Sequence, residues 1–171
     1  MRKQLYLDIK NRLKTIQTTE GEQLFRHFDL WNRQVEFLEE ELPFATPAVF
    51  VEFDRMDWRT LGRKIQECDL HIRLHVVSEW WSETSDLSPI EDEGLRYLDL
   101  TDSVVKAMQG FTTPYMNSWM RTASITDHDH LRYVDNVEEY TCLLRDTSAY
   151  TEPPKAEVEE IKINNFPFSI K

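Results

Sequence analysis

Two stretches carry the clearest hydrophobic patterning. Pro47-Ala48-Val49-Phe50-Val51-Glu52-Phe53 is short, apolar and β-branched behind a proline. Asp69-Leu70-His71-Ile72-Arg73-Leu74-His75-Val76-Val77 alternates polar and apolar residues over a full strand length. They predict neighbouring strands over 48–53 and from about Cys68 to Glu79. In the second, Leu70, Ile72, Leu74 and Val76 share one face; Asp69, His71, Arg73 and His75 share the other. The first face belongs to a core, and the second is expected to meet solvent or a partner.

Elsewhere the period changes. In residues 3–17, Leu5, Ile9, Leu13 and Ile16 fall on one helical face, with Lys10, Arg12 and Lys14 mostly elsewhere. This predicts a basic amphipathic first helix packed on the sheet, its outer face suited to an acidic neighbour. A turn over 18–22 leads to an aromatic strand over 23–31. Residues 32–42 read either as a short helix or as an irregular connection. Pro43 and Pro47 then impose an extended entry, because the residue before a proline avoids the helical region. Residues 54–67 break the alternation and read as a loop or hairpin tip, with Trp58 and Leu61 on its flank.

A polar loop follows Trp80-Trp81. Ser88 as N-cap and Pro89 at the first helical position predict a second helix over about 89–109. Its expected buried stripe is Leu95, Leu98, Val105 and Met108, and Gly110 supplies the stop. Residues 117–126 and 134–145 read as antiparallel strands joined by Asp127-His128-Asp129-His130. From Ser148 the character changes to an extension ending in Asn165-Phe166-Pro167-Phe168. The expected organisation is an α+β domain over 1–147 and a C-terminal extension over 148–171. The domain is a mainly antiparallel sheet of four to five strands with two amphipathic helices on one face.

Composition narrows the chemistry. The 171 residues are 40% apolar and 12% aromatic, enough to build a core in one domain. A formal net charge of −11 repels phosphate backbones, so no nucleic-acid binding is expected. Four glycines are too few for a phosphate-cradling loop. No run reaches membrane-spanning length, and no apolar segment follows Met1-Arg2-Lys3, so a reduced, cytosolic site of synthesis is expected. Cys68 and Cys142 fall in predicted strands and read as buried thiols.

Asp127-His128-Asp129-His130 is the most metal-like cluster. Neighbouring side chains diverge, however, and no second His-rich or Cys-rich segment completes a shell, so a polar loop is the simpler reading. His71 and His75 share a strand face with Arg73, but no sequence-visible nucleophile accompanies them. The acidic runs Glu91-Asp92-Glu93 and Glu138-Glu139 read as solvated edges. Trp58, Trp80, Trp81 and Phe44 are aromatic candidates for an interaction surface, a class enriched at interfaces. No catalytic, cofactor or metal residue is assigned. The interaction candidates are Lys10, Arg12, Lys14, Phe44, Trp58, His71, Arg73, His75, Trp80 and Trp81.

The order of elements, with the wording Leu42-Pro43-Phe44-Ala45-Thr46-Pro47 through Phe53 and Arg73-Leu74-His75-Val76-Val77, resembles the neck and tail-completion proteins of long-tailed phages and prophages, the tail-terminator type. The resemblance covers residues 1–146. It implies a small α+β subunit with no catalytic residues that forms a ring, usually a hexamer. Such a ring caps the tail tube and meets the head connector, assembling in the host cytoplasm before joining the virion. The alternatives are a metal-dependent hydrolase using His71, His75, His128 and His130, or a monomeric protein-binding adaptor.

Overall fold

The structure, a computed structural model, describes residues 1–35, 44–79, 84–127 and 133–152. Its elements are α1 (Arg2–Leu13), β1 (His27–Leu30), β2 (Ala48–Gly62), β3 (Ile65–Glu79), α2 (Glu91–Met108), β4 (Met120–Asp127) and β5 (Tyr133–Asp146). The five strands form one sheet in the order β1-β2-β3-β5-β4. Both helices and the α+β class match the expectation. The Trp80-Trp81 pair, residues 36–43, the His128–His130 part of the polar loop and most of the C-terminal extension lie outside the described residues.

β1 is shorter than the expected 23–31 strand, and it runs parallel to β2, pairing His27 with Ala48 through Leu30 with Val51. A parallel pair needs a long crossover, and residues 31–47 supply it. The other three pairings are antiparallel.

Residues 54–67, expected as a loop or a hairpin tip, are the outer part of a hairpin, strand and turn rather than a loop. β2 and β3 stay paired from Ala48↔Val77 out to Gly62↔Ile65. A register shift between Phe53 and Arg55 explains why the alternation looked broken. Without it, Arg55 and Asp57 would follow Phe53 onto the core face. One extra residue moves Met56 and Trp58 onto that face instead, opposite Leu70 and Cys68. At the tip, Arg63 (φ 49°) and Lys64 (φ 63°) both adopt positive φ, the sign pattern of a type I′ turn. That turn favours Asn-Gly, so Arg-Lys gave no turn signal in the sequence.

The larger core cluster draws Leu5, Ile9 and Leu13 from α1 and Leu100, Val104 and Met108 from α2. Val49, Val51, Leu70, Ile72, Leu74, Tyr140 and Leu144 join them from the sheet. Trp119 and Tyr140, its largest members, meet edge to face with ring centroids 6.3 Å apart. Two bonds tie the helical layer together: Arg12 Nε donates to the Ala107 carbonyl at 2.8 Å, and the Tyr115 hydroxyl donates to the Asp8 carboxylate. Cys68 and Cys142 are buried free thiols, as expected. Burial pushes them up to about 11 and about 12, so both stay protonated at neutral pH.

α2 turns a different flank inward from the one expected. Its buried residues are Gly94, Leu100, Val104, Ala107 and Met108. Of the expected stripe, Met108 alone is buried; Leu98 is 48% exposed, and Leu95 and Val105 are half-buried. At 100° per residue, Leu98 lies roughly half a turn from Leu100. The helix therefore carries two apolar stripes and buries the one containing Leu100 and Val104. Its cap also shifts: Ile90 occupies the N-cap, and Ser88 Oγ accepts the Ile90 N–H at 3.2 Å. Gly110 (φ 79°) follows the last turn, as the stop signal predicted.

Candidate functional site

Alternate positions of β2, β3 and β5 build the second sheet face, and it has two different halves. Near the β1 end, a smaller cluster of Val35, Ala48, Phe50 and Val77 is joined by Trp31, Phe44 and Tyr133. Phe44 packs edge-on to Phe50 at 4.9 Å between centroids and stacks near His27 at 5.7 Å. Phe44 is thus a packing residue of this cover, half-buried.

His75 lies beneath the cover and is buried, contrary to the expectation that its face meets solvent or a partner. The Trp31 ring stacks on it with centroids 3.7 Å apart and planes 5° from parallel. Its Nδ1 is 2.7 Å from Asp135 Oδ2, and its Nε2 is 3.4 Å from Glu52 Oε2. Asp135 is itself buried, and its Oδ1 has no hydrogen-bond partner among the described residues. A buried carboxyl group in that setting needs a hydrogen-bond partner nearby, and the imidazole is that partner.

Arg73, two residues earlier on the same face, holds three carboxylates. Nε is 2.8 Å from Glu139, Nη2 3.0 Å from Asp54 and Nη1 3.3 Å from Glu52. The Glu139 hydrogen bond is the main cause raising its pKa; desolvation opposes it, and Asp54 and Glu52 add to it. Glu52 therefore links Arg73 to His75, and the face reads Asp135, His75, Glu52, Arg73, Asp54, Glu139. His71 stands one step further out and is exposed. Chemically this is a charge ladder that locks β2, β3 and β5 in register. A histidine with a carboxylate at each ring nitrogen has no nucleophile to activate among its described contacts. Among the described residues, no three His, Cys, Asp or Glu side chains converge to hold a metal ion.

The basic helix face is also partly engaged within the chain. Arg12 lies over the Phe111 ring at 5.6 Å, Lys10 over Tyr6 at 5.7 Å and Lys14 over Phe28 at 5.9 Å. Each cationic head lies over a ring of the same chain, an ordinary surface use of long cationic side chains.

The outer half of the β2–β3 hairpin is different. From Asp57 to Lys64 every residue is exposed. On one face Arg55 pairs with Asp57 at 2.7 Å, and Arg59 pairs with Glu67 at 3.2 Å and Asp69 at 3.1 Å. The other face presents Trp58, 37% exposed, and Leu61, the unpaired residue at the second register shift, is 46% exposed. Arg63 and Lys64 at the tip have no ionic partner among the described residues. Trp58, chosen from the sequence as an aromatic candidate, belongs to this arm.

Trp31, Glu52, Asp54 and Asp135 were not singled out in the sequence; Glu139 was, but with Glu138 as a solvated edge, whereas Glu138 is buried and Glu139 pairs with Arg73. Asp135 and Glu139 share the parity that β5 gives to Val137, which was the available signal. Trp31 approaches His75 only through the crossover, which sequence periodicity does not register. No family model matches the chain, and no curated protein matches it significantly.

Proposed function

We propose that the chain is a non-enzymatic assembly subunit of the tail-terminator or neck type. In this reading it forms a ring, usually of six copies, that caps a tail tube and meets a head connector. The observation that supports the reading best is the hairpin arm. Its charged face is neutralised by ion pairs, while Trp58, Leu61 and the cationic tip stay uncovered. A strand pair with that division is suited to meeting another protein surface rather than a small substrate.

The shared core cluster fits the finer architecture in which both helices cover the same sheet face. That arrangement leaves the second face to the Trp31–Phe44 cover and the charge ladder. His75 then has a structural task, and the metal-hydrolase alternative loses one of its four ligands to Asp135 and Glu52. The net charge of −11 suits a subunit with a few cationic contact points on an acidic body.

Light scattering on the purified full chain over a concentration series tests the reading. The expected result is a species several times the 20.4 kDa subunit mass, seen as rings by negative-stain electron microscopy. A monomer at the highest concentration overturns self-assembly. Stoichiometric zinc or manganese that is lost on His128→Ala favours the hydrolase instead.

A further inference from the structure

We infer that the β2–β3 arm of one copy docks on the outward flank of α2 in a second copy. The inference rests on the self-assembling reading above and names the surfaces that would make the contact.

Both surfaces carry apolar residues that the fold leaves uncovered. On the arm these are Trp58 and Leu61. On α2 it is Leu98, flanked by half-buried Leu95 and Val105, the stripe that the sequence marked for burial and that the core does not take up. Leu98, at 48% exposed, is the most open of the three. A helix needs only one apolar stripe to pack on its own sheet. A second stripe on the opposite flank matches a partner.

The charges fit the same pairing. Glu91 and Asp102 interleave with Leu95 and Leu98 at helical spacing, and Asp99 borders them. Against these stand Arg63 and Lys64, two adjacent cations with no ionic partner among the described residues. Both occupy left-handed backbone positions, which costs about 1–2 kcal/mol per residue for a side chain with a Cβ. Asn-Gly would close this turn with less strain, so the tip places charge where turn chemistry alone would not. The arm's other cations, Arg55 and Arg59, are paired within the arm and are not available.

The contact is heterologous: different patches meet, arm to helix, copy after copy. Such contacts close into rings when the rotation per subunit permits, and otherwise form open filaments. A second copy fits better than an unrelated partner because one chain carries both halves of the match.

Charge reversal and exchange test the pairing by sedimentation velocity on the full chain. Arg63→Glu with Lys64→Glu removes the tip charge, and Asp99→Lys with Asp102→Lys reverses the helix flank. Each pair alone is expected to weaken association at least tenfold, and all four together are expected to restore it. Circular dichroism melts confirm folding, since all four side chains are exposed. A wild-type oligomer that neither pair weakens overturns the inference and leaves the self-assembling reading standing. Loss in each pair without recovery in the fourfold variant also overturns the inference. A wild-type chain that stays monomeric overturns both.

Discussion

The β2–β3 hairpin is one continuous strand pair with two unlike halves. From Leu70 to Val77, β3 sets Leu70, Ile72, Leu74 and Val76 in the larger cluster, and from Leu74 onward its other side is covered too, with His75 and Val77 beneath the aromatic cover. From Asp57 to Glu67 the same ladder carries no buried side chain. β2 and β3 stay paired with each other through both halves, so that pairing is not what separates them. Side-chain burial is: it assigns stability to the first half, and the proposed assembly gives the exposed second half its contact with other surfaces.

Substitution at matched positions breaks the comparison most sharply. His75→Ala is expected to cost about 3 kcal/mol or more, because it removes the hydrogen-bond partner of buried Asp135 and the ring under Trp31. Urea unfolding measures it, and adding Asp135→Asn to the variant should recover part of the loss. Next comes a leucine pair from the two halves. Leu74→Ala deletes a fully buried side chain and should cost about 2–5 kcal/mol. Leu61→Ala, in the arm, should change stability by less than about 0.5 kcal/mol in the same assay. Equal effects at the two leucines would show that the arm is part of the core.

Much of this division was legible in the sequence, and the failures have physical causes. Both helices and the stretches 68–74 of β3 and 140–144 of β5 follow from simple periodicity, since their buried residues recur near 3.6 or at 2.0; where both sheet faces are covered, as over 74–78 and 134–138, burial is continuous. The arm was missed because one extra residue at the Phe53/Arg55 shift reverses parity, and strict alternation cannot be followed through a bulge. The α2 flank was misjudged because the helix has two apolar stripes, and the Leu95–Leu98 stripe matches the helical period as well as the Leu100–Val104 stripe does. The choice between them belongs to tertiary packing. The site around His75 was half visible: His75 and Arg73 stood out, but their carboxylates come from β2 and β5. Only the pairing register brings Glu52, Asp135 and Glu139 to them. The same register buries a histidine whose alternation alone assigned it to solvent or a partner surface.

Hydrogen–deuterium exchange on the full chain, at low and high protein concentration, tests the central claim most directly. β1 pairs with β2 only as far as Val51, so the outer edge of the arm has no strand beside it among the described residues. The account predicts that peptides covering residues 55–66 exchange more slowly as concentration rises, while those covering 70–77 remain equally protected throughout. Arm exchange that is independent of concentration would contradict it.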